Sequence, residues 1–240
     1  MVDYKIYALI VAGGKGVRMG SKLAKQYLDL EGKPVLTRTI EVFDRFEGID
    51  DIVVVVPEKD IEYCKRNIID PFGFKKAIHI TAGGHLRQDS VLQGLQLLKE
   101  KASSIQKSIV LIHDGVRPFI DHKIINECIE KAARHGACIL GIQVADTIKK
   151  SDSRLFIEKT IDRENIFLAQ TPQVFKFDLI LNAFEYVQNQ NIKFTDDASL
   201  MELIDQKVFI VQGLKSNIKL TTSDDLDFAK FLLSKQRVNQ

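Results

Sequence analysis

A glycine-rich loop near the amino end is the first part of the chain whose residue types suggest chemistry. Residues 12–20 read AGGKGVRMG, and Lys25 follows shortly afterwards. Glycines let backbone N–H groups approach a phosphate chain closely, and Arg18 and Lys25 add positive charge. The loop matches neither GxGxxG, because Met19 stands where a glycine is needed, nor GxxxxGK[ST]. Two interpretations stay open: a phosphate site, or a glycine-rich turn with solvated bases.

A second cluster, residues 83–90, reads GGHLRQDS and leads from a predicted strand into a predicted helix. The amino terminus of a helix presents unpaired N–H groups and partial positive charge. A nucleotide base edge or a phosphate could therefore bind there. A plain turn before a capped helix is an equally good interpretation.

A third cluster, residues 113–119, reads HDGVRPF and directly follows an apolar run. An acid at the end of a central strand is costly to bury unless a cation meets it, and a metal carried by a polyphosphate is one such partner. Asp114 is therefore a candidate for a metal or ribose contact, and an internal ion pair with Arg117 is the alternative. We expect His113 to be a packed histidine at the strand end rather than a catalyst.

The elements that must position these clusters alternate between strand and helix. Residues 6–12, 52–56 and 108–112 are continuous apolar runs, which is typical of parallel strands covered on both faces. Such alternation predicts an α/β, doubly wound sheet with ligands at the carboxyl ends of its strands. Further helices are predicted from Pro34 to about 46 and over 60–68, 87–98, 121–135, 177–187 and 197–204, strands over 138–144 and 208–211, and a last helix capped near Thr222 or Ser223.

Residues 146–163 interrupt this alternation of strands and helices. The segments 147–149 and 155–157 are predicted to pair around a turn at 151–153, which gives a protruding hairpin. A two-stranded hairpin is marginal alone in water, so we expect it to pack on a second subunit. The chain is predicted to be one domain over 1–240 that carries this arm.

Length and composition exclude several classes of protein. The 240 residues carry 34 Lys and Arg against 32 Asp and Glu, a net charge of +2, which gives no general attraction for nucleic acid or an anionic membrane. The apolar runs are far shorter than the ~20 residues of a membrane helix. Three scattered cysteines favour a reducing cytoplasm over a disulfide framework.

The ordered motifs AGGKGVRMG, AKQ, GGxxRxxS, HDGVRPF, DTIK, DR, QTPQVF, TDDAS and NIKLTT together resemble one known family over residues 6–235. That family is the 2-C-methyl-D-erythritol 4-phosphate cytidylyltransferases. The resemblance implies a homodimer with a Rossmann-like nucleotidyltransferase fold and a dimerisation arm. It also implies transfer of a cytidylyl group from CTP to the sugar-alcohol phosphate, with release of pyrophosphate and with Mg²⁺ or another divalent cation as cofactor.

The same resemblance implies roles for individual residues. Arg18 and Lys25 would stabilise the transition state, Lys219 would lie between the two substrates, and Arg163 would hold the acceptor phosphate from the neighbouring subunit. Thr147 and Thr195, together with Arg163 and Lys219, would contact the acceptor. CTP would be bound by Ala12, Gly13, Gly14, Gly16, Gly83, Arg87, Ser90, Asp114 and Gly115, and Asp114 would also be a metal ligand, mainly through the CTP phosphates.

Alternatives remain at this stage. The ribitol 5-phosphate cytidylyltransferases share several of these motifs, but TDDAS and DTIKK resemble the methylerythritol type. An inactive nucleotide-sensing protein on the same fold is a second alternative, and a dehydrogenase that binds a mononucleotide is a third. Ala24 replaces a frequent proline of the family, so Lys25 could approach more loosely, and His85 and Leu86 replace a frequent Asp-Glu pair.

Overall fold

The computed structural model describes residues 4–14, 23–187, 190, 192 and 194–238. Their strands are β1 (Lys5–Val11), β2 (Asp29–Leu30), β3 (Lys33–Pro34), β4 (Asp51–Val56), β5 (Ala77–Ala82), β6 (Ser108–Asp114), β7 (Ala137–Gln143), β8 (Ile148–Ser151), β9 (Ile157–Ile161), β10 (Phe167–Lys176) and β11 (Phe209–Gln212). Seven of them form one sheet in the order β11-β7-β10-β6-β1-β4-β5. Every neighbouring pair is parallel except those that involve β10. The mostly parallel sheet is as predicted.

Helices cover both faces of this sheet. The described α-helices are α1 (Val35–Arg45), α2 (Ile61–Cys64), α3 (Arg87–Lys101), α4 (His122–His135), α5 (Phe177–Val187), α6 (Asp197–Leu203) and α7 (Ser223–Val238). Side chains of α1, α2 and α4 pack in one core cluster, and those of α3, α5 and α6 pack in another. The doubly wound arrangement is therefore confirmed. No helix within the described ranges has the length and apolarity to cross a membrane.

The central strands lack alternation because both faces are covered. Along β1, Ala8 and Ile10 belong to one core cluster while Tyr7 and Leu9 belong to the other. Burial of apolar side chains on both faces of the sheet fixes the strand ends, and these ends carry the candidate functional residues.

The antiparallel strand β10 was not expected. Its middle reads Gln170-Thr171-Pro172-Gln173, which has the composition of a loop because a proline cannot donate to a sheet ladder. The register with β7 shifts between Gln170 and Gln173, and this irregularity accommodates Pro172. The polar side chains of β10 bond to other segments of the candidate site, as described below. Tertiary hydrogen bonds therefore outweigh the local composition here.

The hairpin is present, but its second strand lies later than predicted. Strand β8 pairs with β9 from Ile148 opposite Ile161 to Ser151 opposite Ile157. The carboxylate of Asp152 accepts the N–H groups of Arg154 and Phe156, at 2.9 Å each, and these bonds extend the turn. The apolar side chains of Leu155, Phe156 and Ile157 are exposed at this end of the hairpin.

The segment 60–68 is a further correction. We expected one helix, and the chain instead forms a 3₁₀ turn, the short α2, a π turn over Lys65–Ile69 and another 3₁₀ turn. The other predicted elements agree with the structure to within a few residues. Helix α4 starts after Asp121, whose carboxylate accepts the N–H of Lys123 at 2.7 Å, and it ends at Gly136 with φ +91°.

Candidate active site

The described residues of the three clusters predicted from sequence lie at one edge of the sheet. Strands β1 and β6 are parallel neighbours in which Val11 pairs with Asp114, so the glycine loop after β1 begins beside the end of β6. Residue Gly83 follows β5, and its N–H donates to Val56 O at 2.8 Å. This is the carboxyl edge where ligands bind in doubly wound sheets.

Asp114 is the centre of the charged groups at this edge. Its carboxylate is almost fully buried, and three bases meet it. Lys219 Nζ lies 2.9 Å and Arg117 Nε 3.4 Å from Oδ2, and Arg87 Nε lies 3.7 Å from Oδ1. Burial alone would raise the pKa of Asp114, but Lys219 and Arg87 hold it well below the ordinary range. The ion pair with Arg117, the alternative to a metal or ribose contact of Asp114, is thus present, together with two further cations.

Arg87 directs its guanidinium into the protein. Nη1 and Nη2 donate to the two carboxylate oxygens of Asp197 at 3.0 and 2.8 Å. Burial would lower the pKa of Arg87, but Asp197 and Asp114 raise it above its ordinary value. Gln173 on β10 accepts the N–H groups of Asp197 and Ala198 through Oε1, at 2.9 and 3.1 Å. Gln173 and Asp197 were noted from the sequence only as letters in the motifs QTPQ and TDDAS, whereas Arg87 was a predicted CTP-binding residue.

The glycine loop is anchored by Gln26, which is buried. Its Nε2 donates to the carbonyl oxygen of Ala12 at 2.8 Å and to that of Gly14 at 3.3 Å. A Cβ placed on Gly14 would lie 3.9 Å from Cε of Lys25, so the side chain of Lys25 lies alongside the loop. Two residues with predicted functions, Gly16 and Arg18, lie outside the described part of the chain.

Two glycines allow the loops to approach one another. A Cβ on Gly83 would lie 2.6 Å from Oγ of Ser90, and one on Gly115 would lie 2.9 Å from Cβ of Ala12. Ser90 Oγ also accepts the N–H of Gly84 and donates to Leu86 O, both at 3.2 Å. A Cβ on Gly13 would lie 3.3 Å from the same Oγ. Those predicted CTP-binding residues that the structure describes therefore belong to one packed set of loops, and their contacts with CTP stay predictions.

The loop that carries Lys219 is held by β10. Gln170 Nε2 donates to Leu214 O at 3.0 Å and to Asn217 O at 3.2 Å. Asn217 Nδ2 donates in return to Thr171 O at 2.8 Å, and Arg117 Nη1 donates to Asn217 O at 2.8 Å. Sequence reasoning missed this role of Gln170, because the distance between β10 and the loop cannot be read from the spacing along the chain.

His113 is a packed histidine at the end of β6, as expected. Its ring is fully buried, with Nδ1 3.1 Å from Thr171 Oγ1 and Nε2 2.9 Å from Arg117 O. Burial lowers its pKa to about 4, so the ring is neutral at pH 7. A neutral ring fits these partners when Thr171 donates to Nδ1 and the Nε2 proton goes to the carbonyl. Both ring nitrogens are thus occupied.

The residues predicted to contact the acceptor lie on two separate segments. Thr147 and Arg163 lie at the base of the hairpin, and both are exposed; Arg163 Nη1 donates to Ala145 O. Thr195 is exposed next to Asp196, which caps α6 by accepting the N–H of Ser199 at 3.0 Å. The contacts of the structure join Lys219, Arg87 and Asp114 directly but do not place Arg163 with them.

The acidic side chains at this sheet edge determine whether a divalent cation could bind there. Among the described residues no three acidic, His or Cys side chains come together as a metal site. Asp114 alone supplies a carboxylate at the end of β6. Mg²⁺ binds readily through one or two carboxylates plus substrate phosphates. The residues therefore fit a cation that arrives with a polyphosphate.

Comparison with known proteins gives consistent matches over nearly the whole chain. The model of the family described as 2-C-methyl-D-erythritol 4-phosphate cytidylyltransferase matches residues 6–235. A relative of that name from Alkaliphilus oremlandii is 43% identical, with 97% of each chain covered. One from Syntrophotalea carbinolica is 44% identical over 95% of this chain and 96% of its own.

Solved structures match equally well. The crystal structure of the 4-diphosphocytidyl-2C-methyl-D-erythritol synthase from Anaerococcus prevotii superposes with a TM-score of 0.82 at 33% identity, and 97% of each chain is covered. The 2-C-methyl-D-erythritol 4-phosphate cytidylyltransferase from Francisella tularensis gives a TM-score of 0.79 at 29% identity, over 95% of this chain and 99% of its own.

Proposed function

The chain belongs to the 2-C-methyl-D-erythritol 4-phosphate cytidylyltransferase family, and we propose from that premise how its residues divide the reaction between them. The enzyme transfers a cytidylyl group from CTP to 2-C-methyl-D-erythritol 4-phosphate. The products are 4-diphosphocytidyl-2-C-methyl-D-erythritol and pyrophosphate. The names of the matching family and of its relatives favour this acceptor over ribitol 5-phosphate.

One observation carries the proposed mechanism: three bases from three different segments meet Asp114 beside the glycine loop. The acceptor phosphate is already ionised, so its attack on the α-phosphorus of CTP needs no general base. The difficulty is to bring two polyanions together. Fixed positive charge lowers that barrier, because the bases need little reorganisation as charge develops.

Lys25 and Arg18 act on the CTP side in this proposal. Lys25 lies alongside Gly14 of the glycine loop, so its ammonium can follow the triphosphate that the loop binds. It then stabilises charge on the α-phosphate and on the departing pyrophosphate. Arg18 is assigned the same task by the family motif alone.

Lys219 acts between the two substrates. Its side chain is 40% exposed while Nζ pairs with Oδ2 of Asp114, so a phosphate can reach it without unfolding of the loop. Gln170 and Asn217 fix that loop, which limits where the ammonium can go. Thr195 and Thr147 then contact the acceptor.

Enzymes of this family use a divalent cation, and we expect Mg²⁺ here. Asp114 would hold it together with the CTP phosphates. When bound, Mg²⁺ neutralises phosphate charge and polarises the P–O bonds. Asp114 itself stays ionised because the neighbouring bases stabilise its carboxylate.

Residues 1–240 form one catalytic domain in this proposal, and the hairpin pairs it with a second copy. The exposed Leu155, Phe156 and Ile157 support that pairing, because apolar side chains grouped at the end of an arm mark an interaction surface. Arg163 would then reach the acceptor phosphate of the neighbouring subunit. The cytoplasm is the proposed compartment, since Cys64, Cys128 and Cys138 are free and buried.

A product analysis tests this division of roles. Wild-type protein with CTP, Mg²⁺ and methylerythritol phosphate should release one pyrophosphate for each cytidylylated acceptor found by mass spectrometry. Asp114→Asn should require a higher Mg²⁺ concentration, whereas Lys219→Met should mainly raise the KM of the acceptor. Equal Mg²⁺ dependence in wild type and Asp114→Asn would remove Asp114 from the cation site.

A further inference from the structure

The buried carboxylate of Asp197 is the strongest feature that the proposed mechanism leaves without a role. It lies at the first turn of α6 with no exposed surface, and Arg87 is bound to both of its oxygens. We propose that Asp197 is a positioning residue that acts through Arg87 to fix Asp114 and Lys219. This inference rests on the roles proposed above for those two residues.

The Arg87–Asp197 pair is better explained by geometry than by stability. Removal of two charges from water offsets much of their attraction, so a buried ion pair is weak evidence for added stability. A bidentate pair nevertheless fixes the plane and direction of the guanidinium. The surface ion pair between Lys99 and Glu185, with both side chains about half exposed, imposes no such constraint.

Asp197 is itself fixed to the central sheet. Oε1 of Gln173 accepts its N–H at 2.9 Å, and Nε2 of Gln173 donates to Oδ2 of Asp196 at 2.7 Å. Gln173 lies on β10 opposite Ile112, two residues before Asp114 on β6. The carboxylate of Asp197 is therefore held at a fixed distance from the strand that carries Asp114.

Arg87 transmits this constraint. Its two terminal nitrogens are occupied by Asp197, and Nε lies 3.7 Å from Oδ1 of Asp114. The other oxygen of Asp114 pairs with Lys219 at 2.9 Å. Without the charge of Asp197, the guanidinium would turn toward Asp114 and compete there with Lys219.

The Arg87–Asp197 pair also connects the segment predicted to contact the acceptor with the segment predicted to contact the nucleotide. Thr195, a predicted acceptor contact, lies two residues before Asp197, and Arg87 opens α3 on the nucleotide side. A small shift of α6 relative to α3 would thus misalign the attacking oxygen with the α-phosphorus. Misplacement by about 1 Å can lower a rate by ~100-fold.

The test uses Asp197→Asn, which keeps the size of the side chain and removes its charge. We expect kcat to fall by roughly 10- to 100-fold, while the Kd of CTP with Mg²⁺, measured by calorimetry without acceptor, changes by less than about threefold. A second variant, Arg87→Lys, keeps the charge and loses the bidentate fork. It should show the same kcat loss, and it tests the proposal even if Asp197→Asn fails to fold.

A double variant separates coupling from two independent effects. If Arg87 and Asp197 act as one unit, Arg87→Lys with Asp197→Asn should be about as active as the weaker single variant. Losses that multiply would overturn the proposal. Ser108→Ala is the matched structural control, because it removes a part-buried 2.6 Å hydrogen bond to Ser104 O at the opposite end of β6. It should keep the wild-type kcat well below its unfolding midpoint.

The outcomes distinguish this inference from the function beneath it. Wild-type protein that forms no cytidylylated product would overturn both. Active wild type together with a wild-type kcat in Asp197→Asn or in Arg87→Lys would overturn the positioning role alone. A kcat loss that Ser108→Ala shares in proportion to its loss of stability would do the same.

Discussion

At the scale of single residues, the site separates two kinds of positive charge. Arg87 and Arg117 are bonded to carboxylates and a carbonyl oxygen, with side chains that are 30% and 11% exposed, whereas the side chain of Lys219 is 40% exposed. Lys219 and Arg87 hold the carboxylate of Asp114 in its ionised form, with a smaller effect from Arg117. The partly exposed lysine can then exchange Asp114 for a phosphate.

Lys25 is predicted to act on the transition state more than on binding. Lys25→Ala should lower kcat by ~100- to 1000-fold, as removal of one preorganised charge donor does elsewhere, while calorimetry should still detect CTP binding. Lys99→Ala, on the exposed side of α3, is the control and should keep the wild-type kcat. Wild-type turnover in Lys25→Ala would exclude Lys25 from the mechanism.

His113 predicts a pH dependence of stability. Its pKa falls from 6.5 to about 4 on folding because the ring is buried. The unfolded chain therefore binds a proton between these values that the folded chain does not, so the free energy of unfolding should decrease as the pH falls from 6.5 to 4. The change is up to ~3 kcal/mol. The contribution of Asp114 is lost only below its ordinary pKa of 3.8, outside this window.

Urea denaturation across that pH range measures the effect. The variant His113→Gln should have a flatter dependence of unfolding free energy on pH than the wild type. Ser108→Ala removes a part-buried hydrogen bond at the start of the same strand, so it should be less stable at every pH with the wild-type slope. An unchanged slope in His113→Gln would show that another group titrates.

The sequence predicts those site residues that lie directly at or after the end of a strand. Asp114 follows an apolar run, and the glycine loop follows another, so parallel pairing brings them together. Asp197 and Gln173 could not be assigned in this way. Their roles depend on a contact with Arg87 across 110 residues of chain and on a strand that reads as a loop.

At the scale of elements, the pattern of apolar residues was sufficient to predict the buried strands and the long helices. It failed where polar tertiary contacts determine the secondary structure. Helix α5 matches its predicted bounds, whereas β10 was missed because Gln170 and Gln173 are buried with hydrogen bonds to other segments, which an apolar pattern does not signal. The broken segment 58–72 was also missed, since its apolar spacing resembles that of one helix.

Helix α3 is predicted to depend on Gly94. A Cβ there would lie 2.2 Å from Leu9 Cδ1 and 3.0 Å from Val55 Cγ2, both on buried core side chains. Gly94→Ala should therefore lower the unfolding free energy by ~1–3 kcal/mol, although alanine favours helix by ~1 kcal/mol. It should also raise the Kd of CTP, because α3 carries Ser90, which packs against Gly13 and Gly83 of the predicted CTP loops. Exposed Gln96→Ala is the control, and equal stability of the two variants would contradict the close packing.

At the scale of the whole molecule, the near balance of charge is consistent with a local site. A net charge of +2 over 240 residues gives no broad basic surface, while several bases converge at one sheet edge. The second feature at this scale is the hairpin arm, whose apolar end is exposed and is the proposed contact with a second copy of the chain.

Subunit mixing tests whether the arm completes a partner's site. Lys25→Ala and Arg163→Ala chains should each be nearly inactive alone. If Arg163 acts in trans, heterodimers contain one site with both residues intact, so the mixture should recover up to about a quarter of the wild-type activity at full exchange. Native mass spectrometry verifies the exchange. Verified heterodimers without any recovery would contradict action in trans.

A comparison of the two candidate acceptors tests most directly the central claim, that methylerythritol phosphate is the substrate. Purified wild-type protein is given CTP and Mg²⁺ with methylerythritol phosphate or with ribitol 5-phosphate, and pyrophosphate release is followed for each. We predict that kcat/KM for methylerythritol phosphate exceeds that for ribitol 5-phosphate by at least ~100-fold, as expected where a site hydrogen-bonds the hydroxyl groups of its own substrate. Equal values, or a preference for ribitol 5-phosphate, would contradict the assignment of the acceptor.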